Sequence, residues 1–222
     1  MEHAPSTARP PPPLVIGVLG GIASGKSRVA QLLAGPDGLA IDADRMAREL
    51  LDSAELHPLL LEAFGASVFD PAGKLDRARL AVRVFASDAE RKQLESFTHP
   101  RIRARIRALL EDARARRVPR VVLDVPLLLE NEAQHGLAAE CHELVFIDSP
   151  PAVRDARAVA SRAWASGEVA RRESRQLPLE HKRKRAQNVI DNSKSEAELE
   201  AEVARLSQAL ALRWKNAAPD PR

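Results

Sequence analysis

The stretch Gly20-Gly21-Ile22-Ala23-Ser24-Gly25-Lys26-Ser27 decides how this chain is read. The apolar run Leu14-Val15-Ile16-Gly17-Val18-Leu19 precedes it and predicts a buried strand. Arg28-Val29-Ala30-Gln31-Leu32-Leu33 follows and predicts a helix. Strand, Gly-x-x-x-x-Gly-Lys-Ser and helix, in that order, spell a phosphate-binding P-loop. Glycines let the backbone curl until successive N–H groups point at phosphate oxygens. The following helix turns its positive end toward the same anion. Lys26 is placed to reach the β- and γ-phosphates, and the Ser27 hydroxyl to ligate Mg²⁺.

A chain of 222 residues predicts one large domain, or one domain with an inserted lobe. The net charge of +3 is small, there is no Tyr, and aromatics make up only 3%. That composition argues against a single-strand nucleic-acid binder, which needs stacking platforms. The lone Cys141 excludes an internal disulfide and a Cys-rich metal site, and the six His include no H-x-x-x-H pair. No apolar run approaches a membrane span. Residues 1–13 end in four prolines and predict a disordered or polyproline tail rather than a signal peptide.

Beyond the first helix, Leu39-Ala40-Ile41 predicts a second strand ending in Asp42-Ala43-Asp44. Acids at the carboxyl end of a strand point to the crevice where α/β sheets bind ligands. Either Asp also suits the cap of the helix that follows, so one caps while the other faces the site. Leu56 to Arg117 carries helical patterns without a central strand. Within it, Asp76 caps a helix from Arg77, Thr98-His99-Pro100 interrupts, and Arg101 to Arg116 forms a basic amphipathic helix. Most arginines of that helix read as a solvated face. Arg120-Val121-Val122-Leu123-Asp124-Val125 predicts a central parallel strand, with Asp124 where P-loop enzymes keep a metal-associated carboxylate. Leu144 to Asp148 and Asn188 to Asn192 complete the strands, and Glu196 to Trp214 forms a terminal helix.

Val153 to Arg185 is dense in arginine and poor in large apolar residues. It reads either as an exposed charged helix pair or as a lid whose arginines close over phosphates. The P-loop favours the lid, with two or three arginines reaching phosphate. The fold class is therefore α/β of the P-loop NTPase type: a parallel five-stranded sheet flanked by helices, an inserted helical acceptor-binding lobe and an arginine-rich lid. Without an Asn-Lys-x-Asp run, a small-molecule kinase fits better than a GTPase.

In order and spacing, these segments resemble the dephospho-CoA kinases from Ile16 to about Leu206. The resemblance rests on the P-loop, on Asp42-Ala43-Asp44 with Arg48, and on Phe64-Gly65, Leu75-Asp76-Arg77 and His99-Pro100. It continues through Pro126-Leu127-Leu128-Leu129-Glu130, Arg172-Glu173-Ser174-Arg175-Gln176 and Val189-Ile190-Asp191-Asn192. It implies a cytoplasmic enzyme that transfers the γ-phosphoryl of ATP to the ribose 3′-hydroxyl of dephospho-CoA, the final step of coenzyme A biosynthesis. Its parts would be a nucleotide core (14–54, 118–152 and 186–214), a CoA-binding lobe (55–117) and a lid (153–185). Together they form a single domain 14–214 followed by a loose end, 215–222.

By position, the resemblance makes Asp44 the base, with Lys26 and Arg157 completing the catalytic set. ATP would be held by Gly21, Ile22, Ala23, Ser24, Gly25, Lys26, Ser27, Arg28, Arg157 and Asn192. The acceptor side would include Asp44, Arg48, Arg77, His99 and Glu130, with His99-Pro100 equally suited to starting a helix. Arg162 joins the lid, and Mg²⁺ sits on Ser27 with phosphates and waters. ATP and dephospho-CoA are the expected partners, with no nucleic acid or membrane, in a monomer or weak homo-oligomer. Ala23 and Arg28 depart from the family's usual Gly and Thr, and Leu19 from its Thr. Ala23 is expected at negative φ, because it carries a Cβ. The Arg28 guanidinium either adds charge at the phosphates or turns away. The competing readings are a nucleoside or nucleotide kinase and a nucleotide-binding RNA-associated module.

Overall fold

The run ahead of the P-loop is the central strand. The computed structural model describes residues 12–217, so the expectations for residues 1–11 and 218–222 lie outside the described residues. Strand β1 (Leu14–Gly20) is buried along its whole length, as an apolar run in a parallel sheet requires. It is flanked by β3 (Arg120–Asp124) and β4 (Glu143–Asp148), with β2 (Leu39–Asp42) and β5 (Asn188–Asp191) at the edges, in the order β2-β3-β1-β4-β5. β1 pairs in parallel with both neighbours, Leu14 opposite Arg120 and Gly20 opposite Ile147. The sheet is the expected five-stranded one.

The described residues divide into two compact units, 12–41 with 111–217, and 42–110. The helical unit covers 42–110, and residues 153–185 lie in the nucleotide unit. In the nucleotide unit, α1 (Lys26–Ala34) and α10 (Glu196–Ala217) pack against the sheet. Val29, Leu33, Leu199, Val203 and Leu210 join Ile16, Val122 and Ile147 in one core. The supposed loose end from residue 215 is helical as far as Ala217. Trp214 anchors it, donating Nε1–H to the Pro12 carbonyl (2.9 Å) and packing its ring at a tilt against His142. Between β4 and β5 lie α7 (Pro151–Arg162), α8 (Glu168–Glu173) and α9 (Leu179–Arg185), while the short α6 (Glu132–His135) follows β3.

The other unit holds α2 (Ala43–Leu51), α3 (His57–Phe64), α4 (Arg77–Ala86) and most of α5 (Asp88–Arg116). Its own core gathers Leu56, Leu60, Phe64, Val68 and Leu80. Asp76 caps α4 as expected, accepting from Ala78 N and Arg79 N. One expectation fails here: α5 is a single helix of 29 residues that runs straight through Pro100. Proline removes one helical N–H and crowds the preceding turn, which costs roughly 3 kcal/mol. Leu94, Phe97 and Ile102 straddle the proline and pack on the same core, so burial holds the two halves in one helix. Arg101 shields the disturbed turn by bonding the Phe97 carbonyl through Nη1 (2.9 Å) and Glu55 through Nε (2.5 Å). His99 is consequently a mid-helix residue and starts no helix.

Candidate active site

At the carboxyl end of β1 the chain enters the P-loop, and Gly25 begins α1 at φ +91°, a left-handed backbone suited to glycine. A Cβ there would also lie 2.2 Å from Asn192 Nδ2. Asn192 follows β5 and donates that Nδ2–H to the Ser24 carbonyl (2.8 Å), which ties the last strand to the loop. Ser149, after β4, donates its hydroxyl to the Asn192 carbonyl (2.9 Å) and lies 3.3 Å from the Ser24 carbonyl. Sequence reasoning found Asn192 and missed Ser149, a small residue before two prolines that gives no chemical signal by itself.

Lys26 turns its ammonium to the Gly21 carbonyl (2.7 Å) and the Gly20 carbonyl (3.3 Å). The Ser27 hydroxyl donates to Asp124 Oδ2 at 2.5 Å, and Asp124 is buried at the end of β3. A hydroxyl and a buried carboxylate are hard oxygen ligands of the kind Mg²⁺ takes when phosphates and waters supply the rest. Among the described residues no cluster of three His, Cys, Asp or Glu could hold a metal.

Ala23 departs from expectation, and Arg28 takes the second of the two courses open to it. Ala23 sits at φ +58°, not at negative φ. For a residue with a Cβ this backbone costs roughly 1–2 kcal/mol. Arg28 turns away from the loop: Nε donates to Glu196 Oε1 (2.8 Å) and Nη2 to Glu200 Oε1 (2.7 Å), one turn apart on α10. These are half-exposed surface pairs that contribute little stability.

The arginine-dense stretch sorts into distinct groups. Arg157 bonds the Asn192 carbonyl (3.1 Å) and the Ser149 hydroxyl (3.3 Å), and its Nη1 lies 3.9 Å from where a Gly25 Cβ would be. It reaches the Gly25 end of the P-loop, while Arg154, paired with Glu173, lies against Gly21. Arg162 and Arg172 stack on Trp164, 5.0 and 4.1 Å from its centroid. Arg171 and Arg172 bond Glu168 and together pull its carboxyl down to about 2. Arg154 and Lys182 are buried, contrary to a stretch that carries only solvent-facing charge. Arg154 pairs with Glu173, and that carboxylate also accepts the Ile22 N–H at 2.6 Å. Glu173 stands in the Arg172–Gln176 stretch that carries the resemblance, but nothing in the sequence alone assigns it a role at the site.

Glu130 lies in the nucleotide unit, paired with buried Lys182 at 2.7 Å and accepting Leu177 N at 3.3 Å. Its carboxylate is engaged with the loop and helix around α9. In the helical unit, Asp42 caps α2 by accepting from Arg45 N (2.8 Å), while Asp44 lies exposed in that helix's first turn. Arg77 bonds Asp52 and, through Nη2, the Arg48 carbonyl (2.8 Å), so Arg48 and Arg77 are neighbours. His99 lies on α5.

A strand, a complete Gly-x-x-x-x-Gly-Lys-Ser loop, a serine–aspartate pair beneath it and an arginine returned to its edge define a P-loop kinase. The family model described as dephospho-CoA kinase matches residues 14–198. A dephospho-CoA kinase of Corynebacterium diphtheriae is 40% identical, with 89% of this chain and 97% of the relative covered. One of Deinococcus radiodurans is also 40% identical, over 95% of this chain and 97% of the relative. A Thermus thermophilus crystal structure superposes with a TM-score of 0.71 at 33% identity, covering 89% of this chain and 97% of that one. The chain belongs to the dephospho-CoA kinase family, ATP-dependent phosphotransferases of the final step of coenzyme A biosynthesis. No helix among the described residues is long and apolar enough to cross a membrane.

Proposed function

We propose that this chain phosphorylates the ribose 3′-hydroxyl of dephospho-CoA with ATP, giving CoA and ADP. The observation that carries the donor half is the convergence of Lys26, Ser27, Asp124, Arg157 and Asn192 on one loop. Loop amides and the start of α1 cradle the phosphates. Lys26 exchanges loop carbonyls for β- and γ-phosphate oxygens, and Arg157 offsets charge on the transferring group. Ser27 and Asp124 are the residues that would hold Mg²⁺, which when bound neutralises charge on the phosphates.

On the acceptor side, Asp44 takes the proton of the attacking hydroxyl, a role suited to an exposed carboxylate after a strand end. Arg48 and Arg77 form the cationic edge of the acceptor unit, and His99 belongs with them. Glu130 acts indirectly, by holding Lys182. The enzyme works in the cytoplasm, as a monomer or weak homo-oligomer, without nucleic acid or membrane. ADP release coupled to dephospho-CoA tests this reading. Release that requires a nucleoside or nucleoside monophosphate instead would assign the chain to another acceptor.

A further inference from the structure

Glu173 places a carboxylate against the phosphate-binding loop. Its Oε1 accepts the Ile22 N–H at 2.6 Å and also bonds Arg154, whose Nε donates to the Ser149 carbonyl at 3.0 Å. Side-chain exposures of 5% for Arg154 and 14% for Glu173 put this pair inside the protein. Its ionic partner balances the carboxylate, so the pair is close to neutral toward an incoming polyphosphate. The fit is close: a Cβ on Gly21 would lie 2.5 Å from Arg154 Nη1 and 2.6 Å from Glu173 Oε1.

The residue after Ile22 is Ala23, at φ +58°. Such backbone persists where its surroundings over-determine it. Both sides of Ala23 are held. Ahead of it, Glu173 fixes the Ile22 N–H; behind it, Asn192 Nδ2 fixes the Ser24 carbonyl. We infer that Glu173, paired with Arg154, is a positioning residue that clamps the P-loop in its left-handed turn at Ala23 and thereby sets ATP affinity. The clamp joins α8 of the arginine-rich stretch to the loop's geometry. The inference rests on the nucleotide-binding reading of the P-loop and is independent of the acceptor.

The test is a double-mutant cycle on Ala23 and Glu173, read as ATP binding by calorimetry without acceptor. Relief of a left-handed Ala corresponds to roughly 5- to 30-fold in an equilibrium. Glu173→Ala should weaken ATP about fivefold or more in the Ala23 chain, but less than about twofold when Ala23→Gly is also present. Glu173→Gln keeps an acceptor for the Ile22 N–H and should stay within about threefold of the parent. Because Glu173→Ala strands a buried guanidinium, a chain that fails to fold is replaced by R154M/E173M, compared with and without A23G. The cycle then reads the same coupling. Equal losses in both backgrounds, or no loss in either, overturn the clamp. A parent chain that binds no ATP overturns the nucleotide reading itself.

Discussion

Replacing Glu130 by Ala separates a structural role for this residue from a contact with the acceptor. The carboxylate is 15% exposed and faces Lys182, whose side chain is 5% exposed, at 2.7 Å. Removing it leaves an ammonium buried without its charge partner, a loss of about 3–5 kcal/mol. The bond to Leu177 N goes as well, adding on the order of 1 kcal/mol. For a chain of this size, each kcal/mol moves Tm by about 2–4 °C, so a loss of about 4–6 kcal/mol means that Glu130→Ala should lower Tm by roughly 8–24 °C. Removing both charges should largely undo this, since a buried ion pair replaced by apolar groups is often neutral. E130M/K182M should therefore melt within about 4 °C of the parent. Calorimetric melts, together with KM for ATP and for dephospho-CoA, complete the assay. An E130A protein that melts with the parent but loses acceptor affinity selectively would refute the anchor and return Glu130 to the substrate.

Replacing Asp44 by Asn should cut turnover by about two or more powers of ten while ATP binding stays within about threefold; an unchanged rate would move the base elsewhere. Burial, with Glu132 and Glu140 adding to it, pushes the Cys141 thiol up to about 12. Ellman's reagent at pH 8 should leave the folded protein unmodified and titrate one thiol per chain in urea. The same shift sets a pH dependence. The folded value lies above the unfolded one near 9, so its stabilisation is whole below pH 9 and lost as pH rises toward 12, seen as falling Tm. Glu168 has the opposite sign: held down to about 2 by Arg171 and Arg172, its contribution is present above pH 4.5 and lost toward pH 2. Arg172 also stacks on Trp164, so Trp164 emission in a W214F protein should hold at pH 5 and change toward pH 2.

The nucleotide half was legible because its signals are local. A fully apolar strand, a glycine loop and a Lys-Ser pair need no distant partner to be recognised, and the remaining strands repeat the same short apolar pattern. Pro100 misled because the proline rule is local while the force that overrides it is tertiary, through Leu94, Phe97 and Ile102. Ala23 misled in the same way: a Cβ argues for negative φ, but Glu173, 151 positions from Ile22, and Asn192, just after the last strand, hold the turn from both sides. Long-range partners also explain Arg28 and Lys182, whose glutamates lie on α10 and after β3. Charge density in residues 153–185 could not show which cations are spent on pairing. The structure assigns Arg154 and Lys182 to buried pairs and leaves Arg157 beside the loop.

The most direct test of the account is the product itself. Purified protein is incubated with Mg²⁺, ATP and dephospho-CoA, and the mixture is followed by ³¹P NMR. A new ribose 3′-phosphomonoester should form one for one with ADP. ADP formed with no new phosphomonoester on dephospho-CoA, or no reaction while a nucleoside is phosphorylated, would contradict it.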